Sequence, residues 1–592
     1  MLTAIALSAV VSVQTPAAPK PAATRDETIL VTAALEPVPL RNAGREVTLI
    51  GREEIDRLPA RSIADVLRVA SSVEVRARGA FGVQADFQIR GASFGQALVL
   101  IDGVRINDAQ SGHHNGDFPV GLDEVDRIEV LRGPGSSLHG ADAFGGIIQV
   151  ITRPSAGLRG EVSAGSFGSA SGRIGAGGKA GARTLSLSAA ASHTDGFMPD
   201  RDADEVLARL RVGLHEKATL TLAHLDKEFG ANGFYGPAPS REWTSQTMAT
   251  LSREFSTSAA ASGVATAFYR THRDRFVYDR RNPALSDNRH RTHAFGLGLR
   301  GSRPVNDRVR VSAGVDGGSD RVASSNLGDH SYVRGSVFAE AQWVSGRTIL
   351  YPGLRFDAYE TFGSSLSPGL ALARTFGSST TLRASVGHAF RVPTYTELYY
   401  RDPNHQARND LEPEEAWSGE TGIEWSAPSG LSLGATLFSR WDDSVIDWVK
   451  ATAQERWHTE NLRDVTTRGI ELSVRRSLGR SGRASASYTG LRVSSSVPAA
   501  FSKYVLDYAR RSLAAAVSGD FAANLNGGVS ASYKLRQDGR SYWVVDARAA
   551  RRFGRAEVFV DGQNLLDTRY QEIRGVDLPG RSFSAGVRLS PR

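Results

Sequence analysis

The loop Thr194–Glu205, TDGFMPDRDADE, carries a dense group of carboxylates at Asp195, Asp200, Asp202 and Asp204. Oxygen atoms are the donors that Ca²⁺ prefers, and aspartates two residues apart lie on one side of an extended segment. A solvated acidic loop is the commoner outcome for such a sequence. We therefore expect no required cofactor and keep a structural calcium at these four residues as the alternative.

A second polar stretch, Arg105–Val120, RINDAQSGHHNGDFPV, contains two adjacent histidines followed by an asparagine, at His113, His114 and Asn115. Imidazole nitrogens bind transition metals, but a metal site needs three or four ligands and the sequence offers no defined third one. The lining of a polar surface is the better interpretation of this pair.

The segment Phe229–Ser240, FGANGFYGPAPS, combines glycine, proline and aromatic residues. Isolated aromatic residues of a membrane protein usually lie at the bilayer interface. Phe234 and Tyr235 instead occur in turn-rich sequence, so we place them outside the membrane, where they could contact a large ligand.

One short string, GPGSS at Gly133–Ser137, could be mistaken for a catalytic motif. It lacks the Gly-Lys-Ser/Thr ending of a phosphate-binding loop and the Gly-x-Ser-x-Gly spacing of a nucleophile turn. We expect no catalytic residues, and the protein is not expected to be an enzyme.

Composition narrows the class of protein further. The chain has 592 residues, no cysteine and a formal net charge of +8 that is spread along its length, so disulfides are excluded and nucleic-acid binding is disfavoured. Leu2–Val13 has the length of a signal-peptide apolar region, although no Lys or Arg precedes it. No later apolar run is long enough for a membrane-spanning helix, which leaves a closed β-barrel as the spanning structure.

The pattern of secondary structure that the sequence predicts changes near residue 154. Before it, Arg127–Thr152, RIEVLRGPGSSLHGADAFGGIIQVIT, joins two β-branched runs through a glycine-rich connection, and Ser62–Ala70 has the cap and spacing of a helix. These features predict a compact α+β domain.

From Pro154 onward, apolar and polar residues alternate, as in Val206, Leu210 and Val212 against Arg209 and Arg211. A soluble sandwich has similar strands but not about 20 of them in one run. Roughly 440 residues over 22 strands leave about 20 per strand and connection, the size that a large plugged barrel requires.

Several strings resemble TonB-dependent outer-membrane receptors. IEVLRGPGSSLHGADAFGGIIQVIT is similar to the last part of their plug domain, as are FQIRG at Phe87–Gly91 and LVLIDGV at Leu98–Val104; FRVPTYTELYY with DLEPEEAW, NLLDTRY and PGRSF resemble their barrel strands. The resemblance implies a β fold, a 22-stranded antiparallel transmembrane β-barrel plugged by an N-terminal α+β plug domain. The expected divisions are a signal peptide at 1–13, a flexible segment at 14–45, the plug at 46–153 and the barrel at 154–592.

The coupling segment Asp26–Ala33, DETILVTA, follows the Pro/Ala-rich PAAPKPAATRD. A short β-prone segment behind a flexible tether can add a strand to a partner's sheet, and the alternative is a first strand of the N-terminal domain's own sheet. It resembles the TonB box, particularly that of cobalamin receptors, and this implies TonB binding by Asp26, Glu27, Thr28, Ile29, Leu30, Val31, Thr32 and Ala33.

The resemblance also implies ligand contacts, because comparable plug loops face outward and form the floor of the ligand site. The expected contacts in these loops are Arg76, Arg78, Phe81, Gln84, His113, His114 and Asn115. Phe234 and Tyr235 of the Phe229–Ser240 loop are added to them on the loop composition given above. Arg90 and Asp102, in the plug strings, are expected to fix the plug against itself and the barrel wall.

The predicted function is energy-coupled import of a scarce large nutrient across the outer membrane of a Gram-negative bacterium. Cobalamin is the expected cargo; a ferric siderophore is the alternative, and haem, suggested by His405, is a weaker one. A passive porin or surface binding protein is the alternative of a different class. The implied partners are TonB with its inner-membrane energising complex, outer-membrane lipid and lipopolysaccharide, and we expect a monomer.

Overall fold

The computed structural model describes residues 29–215, 217–256, 261–479, 481–495 and 501–590. The expected signal peptide at 1–13 and residues 14–28, including Asp26, Glu27 and Thr28 of the coupling segment, lie outside these described residues.

The N-terminal part is built from short strands and helices. The strands are β1 (Ile29–Leu30), β2 (Val38–Pro39), β3 (Val47–Gly51), β4 (Val73–Ala77), β5 (Ala85–Ile89), β6 (Ala97–Ile101), β7 (Val104–Arg105), β8 (Val125–Arg132) and β9 (Gly146–Thr152). The α-helices are α1 (Arg52–Arg57), α2 (Ile63–Leu67) and α3 (Ser136–His139), and 3₁₀ helices cover Leu40–Asn42, Ala80–Gly82, Phe94–Gln96, Gly112–His114 and Leu122–Glu124. A five-stranded sheet of order β3-β8-β9-β6-β7 forms the centre, with β6 and β9 parallel.

The two apolar runs of the glycine-rich stretch become β8 and β9, as their β-branched content predicts. Between them, a side chain at Gly146 would meet the Leu131 carbonyl oxygen at 2.4 Å, and its φ of +156° disfavours other residues. Ser62 caps α2 by accepting a hydrogen bond from the Asp65 N–H at 3.2 Å. The predicted helix is therefore confirmed, although it ends at Leu67 rather than Ala70.

The remaining strands form the barrel and one smaller sheet. They are β10 (Gly157–Gly165), β11 (Ala170–Ala180), β12 (Arg183–Thr194), β13 (Ala203–His215), β14 (Ala218–Gly230), β15 (Arg241–Ser256), β16 (Ser262–Val277), β17 (Asp287–Asn306), β18 (Val309–Ser324), β19 (His330–Ser345), β20 (Thr348–Tyr359), β21 (Gly363–Phe376), β22 (Thr380–Arg391), β23 (His405–Gln406), β24 (Glu414–Ser426), β25 (Leu431–Asp443), β26 (Val445–Lys450), β27 (Trp457–Leu462), β28 (Val465–Leu478), β29 (Gly482–Ser494), β30 (Phe501–Ser502), β31 (Ala509–Ala522), β32 (Leu525–Arg536), β33 (Ser541–Phe553), β34 (Ala556–Gln563) and β35 (Ser582–Leu589). A 3₁₀ helix covers Pro283–Leu285, and α4 covers Tyr395–Tyr399.

Twenty-two of these strands close into an antiparallel barrel, since β35 pairs with β10. The predicted fold class is thus confirmed. The other four, β23, β26, β27 and β30, form a small sheet from the long loops at one end of the barrel. The opposite end has short turns, and in outer-membrane barrels the long loops are extracellular and the short turns periplasmic.

Apolar side chains face outward from the barrel wall and polar ones face the lumen. Val206 and Leu297 are each 54% exposed, whereas Arg209 and Thr292 are buried. This alternation is that of strands between lipid and a filled lumen. Among the described residues, no helix is long and apolar enough to cross a membrane.

Buried ion pairs join the N-terminal domain to the wall. Arg90 donates to both carboxylate oxygens of Glu471, at 2.6 and 2.9 Å, and to Glu420 at 2.5 Å; Arg132 also donates to Glu471. Asp102 accepts from Arg209 at 3.2 Å. The expectation that Arg90 and Asp102 fix this domain to the wall is confirmed.

Residues 29–45 differ from the flexible segment expected there. Leu30, Ala33, Val38 and Leu40 are buried in one apolar cluster with Leu98 and Tyr351, near the short-turn end of the lumen. Burial of these side chains removes apolar surface from water and so stabilises the docked segment. The division of the chain at residue 153 stays a prediction.

The Glu471 contacts generate a stability prediction. Glu471→Gln removes the carboxylate charge that the buried guanidinium groups of Arg90 and Arg132 share. We expect this to lower the stability of the folded protein by about 3–5 kcal/mol. We expect the backbone amides of β5 to exchange hydrogen at least about 100-fold faster in detergent.

The matched control is Asp538→Asn, which removes an exposed pair with Arg540 and should change exchange by less than about fivefold. Equal exchange rates in β5 of the parent and Glu471→Gln proteins would show that the pairs do not hold the domain in place.

Candidate functional site

Asp86 organises a surface where the N-terminal domain faces the long-loop end of the barrel. Its carboxylate accepts from Arg78 at 2.9 Å and lies 2.9 Å from His113 Nδ1. Burial lowers the pKa of His113 to about 4, although the Asp86 charge acts in the opposite direction. The neutral ring can therefore donate its Nδ1–H to Asp86.

Aromatic side chains surround this pair. The His113 ring stacks on Phe94, with centroids 4.3 Å apart, and Tyr504 meets Phe94 edge-on at 5.0 Å. The Tyr235 ring lies 5.3 Å from the Arg78 guanidinium, and its hydroxyl donates to Gln84 Oε1 at 3.0 Å. We call Arg78, Gln84, His113, Tyr235 and Tyr504 the ligand surface.

Phe94 is positioned by a buried network at the FRVPT and LEPEE strings. Gln96 donates to Glu414 at 3.0 Å, and Arg391 donates to Glu414 at 2.6 and 2.8 Å and to Glu397 at 2.9 and 3.0 Å. Glu397 in turn accepts from the backbone N–H of Thr394, which caps α4. These strings therefore tie a barrel loop to the 3₁₀ helix that carries Phe94.

Tyr504 is positioned by Asp447 of β26. That carboxylate accepts backbone N–H bonds from Trp448 at 2.8 Å and from Tyr504 and Val505 at 3.1 Å each, and a hydroxyl bond from Ser502. Burial raises the pKa of Asp447 to about 6, and these hydrogen bonds act in the opposite direction.

The structure brings four of the nine expected ligand contacts together, namely Arg78, Gln84, His113 and Tyr235. Tyr235 is 39% exposed, so it is the member of this group most open to solvent. Phe81 lies in a 3₁₀ helix, and its side chain is outside what the structure describes.

The other expected contacts are engaged elsewhere. Arg76 pairs with Asp507, and the Phe234 ring lies 4.5 Å from the Arg201 guanidinium. His114 and Asn115 are buried, with the Asn115 side chain accepting from the Asp108 N–H at 3.0 Å. All nine residues stay predictions as ligand contacts.

The four aspartates of the expected calcium site are not brought together. Asp195 and Asp204 both contact His193, at 3.2 and 2.8 Å. Asp200 pairs with Arg280 at 2.6 Å and Asp202 with Arg241 at 2.9 Å. The loop turns at Asp200, whose φ is +58°, so the extended geometry that would align the carboxylates is absent there. Calcium binding at these residues stays a prediction.

His405, the residue behind the haem alternative, is engaged on both ring nitrogens. Nδ1 lies 2.9 Å from Asp402 Oδ1, and Nε2 lies 3.2 Å from Lys503 Nζ.

The described part of the coupling segment is docked inside the lumen. Glu129 Oε2 accepts from the Val31 N–H at 3.0 Å, from the Thr32 N–H at 3.1 Å and from the Thr32 hydroxyl at 2.8 Å. Leu30 is fully buried, and Arg45 donates to the Ala33 carbonyl at 3.0 Å. TonB binding by this segment stays a prediction.

Sequence reasoning missed Asp86 and the lumen-facing residues of β16. Arg270, His272 and Asp274 alternate with outward positions along RTHRDRFV, and this period of two could have marked them. Nothing in the sequence indicated which of them meet the N-terminal domain.

A closed 22-stranded barrel with a lipid-facing apolar surface and a lumen filled by an N-terminal domain defines a plugged outer-membrane barrel. A family model for the TonB dependent receptor-like β-barrel matches residues 161–565, and one for the TonB-dependent receptor plug domain matches residues 39–147. The chain therefore belongs to the TonB-dependent receptors, a family of outer-membrane receptors and transporters of Gram-negative bacteria rather than of enzymes.

Two relatives are vitamin B12 transporters. The vitamin B12 transporter BtuB of Vibrio vulnificus is 27% identical over 484 residues, which cover 76% of this chain and 75% of the relative. That of Photobacterium profundum is 25% identical over 476 residues, 76% of each. Among solved structures, a mutant ferric enterobactin receptor (PfeA) of Pseudomonas aeruginosa has a TM-score of 0.76 and 18% identity, covering 95% of this chain and 100% of that one. This structural likeness shows the fold alone.

The Asp447 contacts generate a pH prediction. An unfolded aspartate has a pKa of about 3.9, so with a folded pKa of about 6 the folded segment takes up its proton first as pH falls. The segment at Tyr504 and Val505 should therefore become more stable between pH 7 and pH 5, by about tenfold in its opening equilibrium. Hydrogen exchange of these two amides, corrected for the intrinsic rate at each pH, measures this change.

Asp447→Asn carries no titrating carboxyl and should show no such pH dependence. Protection in the parent protein that stays constant or falls from pH 7 to pH 5 would contradict the buried-carboxyl interpretation.

Proposed function

We propose that this receptor imports cobalamin across the outer membrane, using energy that TonB transmits. The assignment of cobalamin rests on the match to vitamin B12 transporters at 25–27% identity over about three quarters of the chain. The DETILVTA string, which resembles the TonB box of cobalamin receptors, supports the same assignment.

The ligand surface suits a large amphipathic molecule. Tyr235 offers an exposed ring, while Gln84 and Arg78 lie behind it with hydrogen-bonding groups. A rigid macrocycle with amide side chains can bury apolar edges on such rings and bond to the polar groups beside them. The cargo is bound and released without covalent change.

Glu129 gives the coupling step a physical basis. To add a strand to TonB, the backbone of Ile29–Ala33 must leave its present partners, and one carboxylate holds two of its N–H groups and the Thr32 hydroxyl. Ligand binding at the opposite end of the lumen would favour a state in which this contact is broken. TonB would then capture the freed segment.

The cargo proposal predicts selective binding. The purified receptor in detergent should bind cyanocobalamin and not a panel of ferric siderophores or haem, as measured by quenching of intrinsic tryptophan fluorescence. Tyr235→Ala should raise the Kd for cyanocobalamin about 10- to 100-fold, because it removes the most exposed ring of the surface.

Tyr269→Ala is the matched control, since this tyrosine is exposed on β16 and contacts His293 rather than the ligand surface. Binding of a ferric siderophore without cobalamin would replace the proposed cargo while keeping the transport mechanism. Unchanged affinity in Tyr235→Ala would remove this residue from the site.

The coupling proposal predicts a gain of TonB binding without ligand. Glu129→Gln removes the charge shared by Val31 and Thr32, and charge-assisted hydrogen bonds contribute about 1.5–3 kcal/mol. Capture of the receptor by the periplasmic domain of TonB should tighten about tenfold or more in the absence of cargo.

Asp126→Asn is the control, because Asp126 pairs with Arg127 at 3.1 Å but does not contact the segment. Deletion of Asp26–Ala33 should abolish capture. Ligand-free capture that is equal in the parent and Glu129→Gln proteins would show that Glu129 does not restrain the segment.

A further inference from the structure

A buried group of histidines and carboxylates joins the plug to two barrel strands beneath the ligand surface. His114 and Asp117 come from the plug, and Glu242, His272 and Asp274 come from β15 and β16; none is more than 7% exposed. Gln84 of the ligand surface donates to Glu242 at 3.4 Å, so the two groups adjoin.

Three donor atoms in this group have the spacing of metal ligands. His272 Nε2 lies 3.0 Å from Asp117 Oδ2, and His114 Nδ1 lies 3.9 Å from the same oxygen. The ligand atoms of His114, Asp117 and His272 all lie within 4.8 Å of one another. In a tetrahedral zinc site with bonds of about 2.0 Å, neighbouring donors are about 3.3 Å apart, so shifts of at most about 1.5 Å between these atoms would complete the geometry.

The second ring nitrogen of His114 has the kind of contact that a metal-binding histidine makes behind the metal. His114 Nε2, the nitrogen on the other side of the ring, lies 3.5 Å from Asp274 Oδ2. Gln110 donates to that same oxygen at 2.9 Å. A carboxylate behind a ligating imidazole fixes its tautomer and raises its basicity.

The group contains more carboxylates than fixed cations, an excess that protons on its own side chains or a bound cation can balance. Three carboxylates, Asp117, Glu242 and Asp274, face one ammonium, that of Lys227, which bonds to Asp117 Oδ1. Glu242 Oε2 and Asp274 Oδ1 are buried and accept no hydrogen bond from the described residues. Buried carboxylate charge is costly unless it is compensated, and a divalent cation would balance this excess.

We propose that His114, His272 and Asp117 bind a divalent first-row transition-metal ion that clamps the plug loop to β16. Imidazole with carboxylate suits Zn²⁺, and three protein ligands leave a fourth position for water. Along the chain, His114 has Asp117 three residues away, whereas the fold supplies the third ligand, His272, from a strand about 160 residues away. This site is independent of the cargo, so it stands whether cobalamin or another nutrient is imported.

The test uses the full-length receptor in detergent, stripped with EDTA and titrated with Zn²⁺ against a chromophoric chelator. The parent protein should bind one equivalent. His114→Ala and His272→Ala should each weaken binding at least about 100-fold, and Asp274→Asn, behind the ligand, about 10- to 100-fold. Co²⁺ should give a tetrahedral visible spectrum in the parent that both alanine variants lose.

His224→Ala is the matched control for adventitious binding, since His224 is an exposed histidine on β14 that contacts Thr247. Zn²⁺ should also slow hydrogen exchange of Gly112–His114 in the parent and not in His272→Ala. Should an alanine variant fail to fold, His272→Asn provides the same comparison with a polar side chain of smaller volume.

Absence of stoichiometric Zn²⁺ binding in the parent would overturn the proposal. Protons would then be what compensates the charge of the three carboxylates. Equal affinity in the parent, His114→Ala and His272→Ala would overturn it as well, because the bound ion would then lie elsewhere.

Discussion

Charge pairing between the plug and the barrel wall is the constraint on which the rest of the structure depends. A lumen filled with protein excludes most water, so each ionised group that faces it needs a partner of opposite charge. Glu471 meets this need for both Arg90 and Arg132, and Arg270 does so for Asp108. Separating one pair leaves buried charges without partners. These pairs therefore oppose movement of the plug as a whole.

The same constraint directs movement to places with few charged contacts. A cavity of about 890 Å³ lies between plug and wall at the short-turn end, lined in part by Leu40, Thr48 and Arg383. The docked Ile29–Ala33 segment lies at this end, where its N–H and hydroxyl groups bond to Glu129 and its Ala33 carbonyl accepts from Arg45. A local rearrangement here disrupts far fewer ion pairs than expulsion of the domain would.

The fold could be predicted from sequence because its signals are local. A period of two along the strands, glycine turns in the Arg127–Thr152 stretch and the capped helix at Ser62 each follow from neighbouring residues. The packing of residues 29–45 could not, since its apolar residues have no regular spacing and their partners, such as Tyr351 and Ala371, lie about 300 residues away. The ligand surface was found in part for the same reason. Loop composition marked His113 and Tyr235, but only the folded plug brings Asp86 and Arg78 to His113, and only the closed barrel brings Tyr235 and Tyr504 to it.

The free energy of ligand binding limits which contacts of the coupling segment and the plug it could break. A nanomolar ligand has about 12 kcal/mol of binding free energy, and only the part that differs between two states can shift their equilibrium. That part cannot break several buried ion pairs at about 3–5 kcal/mol each. It is comparable with the three hydrogen bonds that Glu129 accepts, at about 1.5–3 kcal/mol each. Under the proposed function, binding would therefore release the segment while the plug stays in place, and opening of the path would draw on the force that TonB supplies.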